Sequence, residues 1–348
     1  MPILVGRGVF RFKTAPSVSS FAAVVGKKEG EGPLAVHFDR IFTDTRLGQE
    51  SWEKAESQLQ KNALDIALTK GNLSPEQIDL LFAGDLLNQC IGSSYGLRDL
   101  QIPFFGLYGA CSTMAESLML AAMQVDSGCA SHAAAVTSSH FCSAERQFRY
   151  PLEYGGIRAP TAQWTVTGSG AAIVSHVDTA PYLLAAAVGR IVDMGITDIN
   201  NMGAAMAPAA ADTLIRFFHA TGTRPSEYDL ILTGDLGFVG SSLLYELTER
   251  DGYIIRTRHN DCGMMIFDRE KQDVHSGSSG CGCSASVLCS FILSEIKKGR
   301  LNRVLFLATG ALMSTVSNQQ GETIPAIAHL LLITSKKEAF PWNSSPTV

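Results

Sequence analysis

The sequence predicts an α/β protein whose two duplicated halves pack into a five-layered α/β/α/β/α body. Three observations predict this fold: a repeat at a spacing of 150 residues, the same order of elements in both halves, and short apolar strands alternating with helices. We place the N-terminal half at residues 1–178 and the C-terminal half at residues 179–348. The alternative is two ordinary doubly wound domains with coincidental similarities.

The repeat joins residues 73–85, LSPEQIDLLFAGD, to residues 223–235, TRPSEYDLILTGD. Both segments predict a turn or helix start at the proline, then an apolar strand and a Gly-Asp turn. Five of these thirteen positions are identical, namely Pro75/Pro225, Asp79/Asp229, Leu80/Leu230, Gly84/Gly234 and Asp85/Asp235.

Further elements follow the same order in each half. A helix is predicted from Ser51 to Lys70, ending at Gly71, and another from Ser241 to Arg250. Paired elements of the two halves are Gly/Cys-rich turns before helices at 109–113 and 280–286, buried strands at 133–139 and 304–310, and closing strands at 171–177 and 326–334. Strands that are apolar throughout indicate a sheet covered on both faces. The long polar connection 140–167 has no counterpart in the second half, which indicates a functional segment.

The composition excludes several classes of function. Charged residues make up 18% of the chain against roughly 25% in typical soluble domains, which favours an obligate homodimer interface. The net charge of −5 gives no basic stripe for nucleic acid. The longest apolar stretches are too short for a membrane span of ~20 residues, and the first residues lack a signal-peptide pattern. We therefore expect membrane association to be peripheral.

Eight cysteines occur without a CxxC pair, and the histidines show no HxxxH spacing. This pattern fits neither a small disulfide scaffold nor a zinc site, so we expect reduced, intracellular and mostly buried thiols and no metal. The Gly-rich runs at 167–171 and 277–282 lack a nucleotide-binding pattern and predict close backbone packing instead.

Cys111 is the candidate nucleophile. It follows Gly109-Ala110 and precedes Thr113 and Glu116, whose spacing predicts a capping box at a helix start. The helix dipole and the unpaired N–H groups at a helix start stabilise a thiolate. The alternative is that a small residue is needed there for tight strand-to-helix packing.

Several long motifs carry a family resemblance. These are AGDLLNQ at 83–89, GLYGACST at 106–113, AERQFRYPLEYGG at 144–156, TVTGSGA at 165–171, MGAAMAPAAADT at 202–213, LTGDL at 232–236, HNDCG at 259–263 and LNRVLFLATGAL at 301–312. The chain resembles the thiolase and ketoacyl-synthase superfamily and, more closely and over nearly its whole length, the stage V sporulation protein AD family.

The resemblance implies a thiolase-like fold and the binding of dipicolinic acid, pyridine-2,6-dicarboxylate, for its uptake into developing bacterial spores. It also implies membrane-embedded partners from the same operon, and a location on the cytoplasmic side, peripheral to the inner (forespore) membrane of the spore. No resident cofactor is implied.

The resemblance to the superfamily also reveals departures. Condensing enzymes pair their cysteine with a histidine and a second histidine or asparagine, which polarise a carbonyl and stabilise the enolate. Cys111 matches the cysteine, but Asp235 and Cys281 best match the partners. An ionised aspartate cannot donate a hydrogen bond to an oxyanion, and a thiol is a poor donor. The resemblance therefore implies a binding pocket rather than an active synthase.

Two histidines could compensate for the missing partners. His140 follows a predicted strand end near the expected pocket, and His259 lies in a turn-like sequence of the second half. Either one could instead be a structural or surface residue.

A dicarboxylate ligand needs cations, and planar bidentate contact favours arginine. Arg146 and Arg149 are the candidates, with Arg158 behind them, and Tyr150 and Tyr154 could stack on a pyridine ring. The alternative is that this segment forms a dimer contact.

A calcium chelate of the ligand could instead be held through Asp85 or Asp235, since calcium takes oxygen ligands. The sequence thus predicts a dipicolinic acid-binding protein. The alternative is an acyltransferase or condensing enzyme that uses Cys111 on acyl-coenzyme A thioesters.

Overall fold

The computed structural model describes residues 1–148 and 158–338. Its strands are β1 (Ile3–Gly6), β2 (Val9–Arg11), β3 (Ser17–Gly26), β4 (Arg40–Phe42), β5 (Leu80–Gly84), β6 (Phe104–Leu107), β7 (His132–Ser139), β8 (Trp164–Thr165), β9 (Gly168–Ser175), β10 (Tyr182–Ala187), β11 (Leu230–Thr233), β12 (His259–Asp261), β13 (Ser278–Ser279), β14 (Arg303–Ala311) and β15 (Ala326–Thr334). Its α-helices are α1 (Trp52–Gly71), α2 (Ile91–Leu97), α3 (Thr113–Ser127), α4 (Phe141–Phe148), α5 (Met202–Thr221), α6 (Gly237–Arg250), α7 (Cys262–Met265), α8 (Cys281–Val287), α9 (Leu293–Lys297) and α10 (Thr315–Gln319).

The order of strands repeats between the halves as predicted. One half runs β12-β11-β14-β15-β10 and the other runs β6-β5-β7-β9-β3, and they meet where Tyr182 of β10 pairs with Ser17 of β3. In both halves the Gly-Asp strand is parallel to its neighbours, and the closing strand is antiparallel. This matching topology supports duplication over coincidence. The predicted boundary between residues 178 and 179 lies between β9 and β10.

The two halves also share an equivalent set of hydrogen bonds at the repeated aspartates Asp79 and Asp229. The Asp79 carboxylate, just before β5, accepts the backbone N–H groups of Ser131 and His132 at 2.7 and 3.1 Å. Asp229, just before β11, accepts those of Asn302 and Arg303 at 2.6 and 3.0 Å. Each aspartate therefore fixes the start of the neighbouring parallel strand in its own half.

Alternate strand residues face different layers, as a sheet covered on both sides requires. In β14, Phe306 and Ala308 face the central layer, which contains α3, α8 and α9, whereas Leu305 and Leu307 face α5 and α6. On the far side, α1 covers the first-half sheet. The predicted five-layered body is confirmed.

Two glycines allow the central helix α8 to lie directly against β9. A side chain at Gly170 would overlap the carbonyl oxygen of Ala285, and one at Gly282 would overlap that of Gly168. The predicted role of the Gly-rich runs in close backbone packing is confirmed.

Helix ends follow local signals with small shifts. Ser51 caps α1 by accepting the N–H of Lys54, and the helix ends at Gly71 as predicted; Asn72 follows it in the left-handed conformation that asparagine tolerates. The second-half helix begins at Gly237, four residues before the predicted start at Ser241.

The eight cysteines all lie within the described residues, carry free thiols, and six of them are buried. In the ranges 1–148 and 158–338, no helix combines the length and apolar character needed to cross a bilayer.

We predict that Asp79→Ala and Asp229→Ala each lower the free energy of unfolding by about 1–2 kcal/mol, because each loses two charge-assisted hydrogen bonds to backbone N–H groups. Urea denaturation measures this. Asp99→Ala is the control, since its exposed carboxylate pairs only loosely with Arg98, and it should stay within about 0.5 kcal/mol of wild type. If neither Asp79→Ala nor Asp229→Ala lowers the free energy of unfolding, the prediction is contradicted.

Candidate functional site

Cys111 lies where the sequence predicts, at the start of a central helix. β6 leads into a 3₁₀ turn over Ala110–Ser112, and α3 follows immediately. Strand β14 of the other half crosses this turn so closely that a side chain at Gly310 would overlap the carbonyl oxygen of Gly109. The cysteine is therefore held at the junction of the two halves, with 8% of its surface exposed.

The prediction that the helix start activates the Cys111 thiol is wrong. Burial and the neighbouring Asp235 raise the pKa of Cys111 well above its ordinary value, so the helix start does not yield a ready thiolate. The capping box is also wrong: the Thr113 hydroxyl donates to the carbonyl of Ala110 and accepts from the N–H of Gly109, and Ser112 supplies no side-chain cap.

Asp235 is fully buried close to Cys111. Its Oδ2 accepts the Ser279 hydroxyl at 3.1 Å and the Gly280 N–H at 3.0 Å, while its Oδ1 accepts the Thr309 hydroxyl at 2.7 Å. Burial raises its pKa despite these donors. Ser279 also lies between the two groups, with its Oγ 3.9 Å from the Cys111 Sγ. The structure therefore links thiol, hydroxyl and carboxyl in one chain.

Cys281 packs against Cys111 in a small apolar cluster at the start of α8. Its thiol donates to the carbonyl oxygen of Ser138 at 2.9 Å, and burial raises its pKa well above the ordinary value. The Cys281 sulfur is thus already used inside the protein and does not line the cavity described next.

The Cys111 thiol faces a cavity of about 520 Å³ including its open mouth. The residues that line it are mostly apolar, with a few polar groups: Leu86, Tyr108, Ala110, Cys111, Ala144, Glu145, Phe148, Thr165, Met202, Met206, Ser279, Ala311 and Met313. An apolar pocket with a few placed polar groups is typical of a small-molecule site. Among the described residues that line it, none is basic.

Only some of the arginines and tyrosines predicted to bind the ligand lie within the described residues. Arg146 forms an ion pair with Glu53 of α1 and borders a separate, shallow groove, so it does not reach the cavity. Arg149, Tyr150 and Tyr154 lie outside the described residues. The Arg158 guanidinium donates to the carbonyl of Gln163 and stacks over the Trp164 ring.

His140 belongs to a neighbouring cavity. The Cys142 N–H donates to its Nδ1, so its Nε2 carries the proton and donates to the carbonyl of Thr45 at 2.7 Å. Burial lowers its pKa. This second cavity is also lined by Lys28 and Trp164. His140 is therefore not a partner of Cys111.

His259 of β12 has a structural role. Its ring is bonded to the hydroxyls of Thr233 and Tyr245 at 2.8 and 2.9 Å, and burial lowers its pKa to about 3. It does not line the Cys111 cavity.

Asp85, in the first Gly-Asp turn, organises the loop that follows β5. Its carboxyl accepts the N–H groups of Leu87 and Ser93 and the Ser93 hydroxyl. Burial raises its pKa, and the nearby buried Glu56 has a pKa raised to about 8 by burial and by Asp85. Glu56 also accepts the hydroxyl of Ser143, which ties α4 to α1. Asp85 does not line the Cys111 cavity.

Sequence reasoning missed three polar residues of the cavity. Ser279 and Thr165 pair across the short parallel strands β13 and β8, and Thr165 donates to Glu145 of α4 at 2.9 Å. The Gly-rich run at 277–282 and the unmatched connection 140–167 contain them, and these segments were the available signals. In the described ranges, no three His, Cys, Asp or Glu side chains gather as metal ligands.

Comparisons with known proteins agree with this geometry. The model of the family described as stage V sporulation protein AD matches residues 6–334. Stage V sporulation protein AD of Bacillus subtilis (strain 168) is 48% identical over 326 residues, covering 94% of this chain and 96% of that protein.

Two solved structures show the thiolase-like fold over almost the entire chain. The 3-oxoacyl-[acyl-carrier-protein] synthase III of Aquifex aeolicus VF5 is 13% identical with a TM-score of 0.55, covering 92% of this chain and 99% of that chain. A cysteine-to-alanine variant of OleA from Xanthomonas campestris is 14% identical with a TM-score of 0.62, covering 93% of this chain and 98% of that chain. At this identity the likeness shows the fold alone.

We predict that the free energy of unfolding falls as pH rises from about 6 to 9. A buried acid with a raised pKa stabilises the folded state fully below its unfolded pKa, and this contribution is lost as pH rises to its folded pKa. For Glu56, whose pKa burial and the neighbouring Asp85 raise to about 8, this contribution falls continuously up to about pH 8. Urea denaturation at each pH measures it.

Glu56→Gln is the matching variant and should show a shallower pH dependence, because glutamine does not titrate. Glu29 and Asp261, whose pKa values burial raises to about 7, contribute in the same direction and remain in the variant. The prediction is contradicted if the free energy of unfolding of the wild type stays constant or rises between pH 6 and 9.

Proposed function

Because the chain belongs to the stage V sporulation protein AD family, we propose that it binds dipicolinic acid in the cavity beside Cys111 and does not catalyse condensation. In this proposal the bound ligand is delivered to membrane proteins of the same operon for uptake into the developing spore.

The hydrogen-bonding state of Asp235 is the observation that carries the proposal. A condensing site needs donors aimed at the developing oxyanion, and one such donor is worth several kcal/mol of transition-state stabilisation. The Asp235 carboxyl instead accepts bonds from Ser279, Gly280 and Thr309, and Cys281 donates its proton away from the cavity. With Asp235 ionised, the described residues around Cys111 therefore supply neither an activated thiolate nor a donor aimed at an oxyanion.

The cavity supports a flat ring as ligand. Tyr108 and Phe148 supply aromatic faces, and Met202, Met206 and Met313 supply adaptable apolar walls.

Charge on the ligand is balanced in this proposal by Arg149. It follows Phe148, a lining residue, directly in the chain, and a guanidinium matches the planar geometry of a carboxylate. Arg146 is excluded from the role by its ion pair with Glu53. A calcium ion carried in with the ligand is the other way to balance the charge, although the carboxyls of Asp85 and Asp235 are occupied by internal donors.

The second candidate function is acyl transfer from a coenzyme A thioester through Cys111. The position of Cys111 at a helix start, facing a cavity within the fold of a 3-oxoacyl synthase, favours it. The raised pKa of the thiol argues against it.

We also propose a homodimer that associates peripherally with the forespore membrane on its cytoplasmic side. Support for the dimer comes from β6, where Phe104 and Phe105 are exposed on a strand at the end of the sheet, because an apolar strand edge of this kind is normally covered.

We predict that dipicolinate binds the wild-type protein in calorimetry, with or without calcium. Arg149→Ala should weaken binding at least tenfold because it removes the cation, while Arg146→Ala, the matched control on α4, should change affinity less than twofold. Unchanged affinity in Arg149→Ala removes that arginine from the site, and absence of binding to the wild type contradicts the proposed function.

We predict that incubation with acetyl-coenzyme A leaves the intact mass unchanged, because the Cys111 thiol is not ionised near neutral pH. Intact-mass spectrometry of wild type and Cys111→Ala measures this. An acetyl adduct on the wild type that is missing from Cys111→Ala would establish the acyltransferase function instead.

A further inference from the structure

The floor of the Cys111 cavity carries two hydroxyls side by side. Strands β8 and β13 pair in parallel with Ser279 opposite Thr165, and both residues line the cavity. Register partners in neighbouring strands lie about 5 Å apart, so one ligand carboxylate can reach both hydroxyls.

Each floor hydroxyl already donates its proton to a carboxyl of the protein. Ser279 donates to Asp235 at 3.1 Å, and Thr165 donates to Glu145 at 2.9 Å. A hydroxyl has one proton and two lone pairs. A hydroxyl that donates its proton to a carboxyl of the protein therefore presents only lone pairs to a ligand. In this state the floor repels the carboxylates that the proposed function brings to it.

Asp235 can reverse this arrangement because it is buried among groups that do not neutralise it. Among the described residues, the titratable groups that face it are the thiols of Cys111, Cys262, Cys281 and Cys283 and the carboxyl of Asp261. They belong to the turn before α3, to β12 and to helices α7 and α8. Burial raises the Asp235 pKa, which brings proton uptake closer to neutral pH.

Building on the proposed function, we propose that Asp235 takes up a proton when the carboxylate ligand binds, and so turns the Ser279 hydroxyl from an acceptor into a donor. The proton comes from solvent and is held on Oδ2, which then donates to the Ser279 Oγ. The Ser279 hydroxyl rotates and donates to the ligand carboxylate. Ser279 contacts the ligand, and Asp235 is a positioning residue that acts through it.

The remaining hydrogen bonds of Asp235 can form whether its carboxyl is ionised or protonated. Oδ2 retains a lone pair for the Gly280 N–H, and Oδ1 keeps the Thr309 hydroxyl. One proton enters for each ligand bound, and no covalent bond changes apart from the O–H that forms on Asp235.

Calorimetry with dipicolinate tests the inference. The heat of binding is measured in two buffers of different ionisation enthalpy at several values between about pH 6 and 9, where the ligand stays doubly charged. We expect the uptake of one proton per ligand, and a tenfold loss of affinity per pH unit wherever Asp235 is ionised in the free protein.

Asp235→Asn should abolish proton uptake and make affinity independent of pH, because an amide does not titrate. Glu145→Gln is the matched control, since Glu145 backs the other floor hydroxyl, and it should retain the uptake of one proton. If Glu145→Gln abolishes the uptake and Asp235→Asn retains it, the assignment to Asp235 is overturned.

Ser279→Ala covers the case in which Asp235→Asn does not fold, as judged by its urea transition. We expect it to lose both proton uptake and affinity, and retention of the one-proton uptake would overturn the inference. If dipicolinate binds but no proton is taken up at any pH measured, the inference is overturned and the proposed function still holds. Absence of binding by the wild type sinks the proposed function itself.

Discussion

The close contact between the two halves at the central helical layer is the constraint on which the rest of the structure depends. Gly310 of the second half lies against the turn that holds Cys111, and Gly282 lies against Gly168 and Ser139 of the first half. Both contacts need a residue without a side chain, so the two sheets can sandwich α3 and α8 only with glycine at these points. The cavity therefore lies between halves and not inside either one.

This contact also sets the electrostatics of the site. It excludes water from Cys111, Asp235 and Cys281, and the loss of solvation raises the pKa of each. A condensing enzyme would need donors at these positions, whereas this interior holds acceptors and neutral thiols. Burial raises the pKa of both the Cys111 thiol and the Asp235 carboxyl, which connects the proposed binding function to the proposed proton uptake.

Much of the fold could be predicted from the sequence because its signals are local. The repeated Pro-x₃-Asp-Leu-x₃-Gly-Asp spacing marked β5 and β11, and the predicted strand 326–334 has the bounds of β15. The N-terminal strand β3 and the helix α5 were not assigned: β3 opens with serines that weaken its apolar pattern, and α5 is rich in small residues and contains Pro208.

The candidate site was predictable only in part. Cys111 was found because a cysteine at a helix start is a local pattern. His140 follows a strand that leads towards the expected pocket, and His259 was expected in a turn but begins β12. Their rings are bound by Thr45 and by Thr233 and Tyr245, which are distant in sequence. Arg146 was misplaced for the same reason, since its direction depends on Glu53 of α1.

The sequence by itself determined the duplication and the alternation of strands and helices, because both follow from residue type and spacing. Only the tertiary structure decided that burial raises the pKa of the Cys111 thiol, that Ser279 lies between it and Asp235, and that Thr165 and Glu145 line the same cavity. Burial and hydrogen-bond partners arise from chain segments that are far apart in sequence, so no local pattern records them.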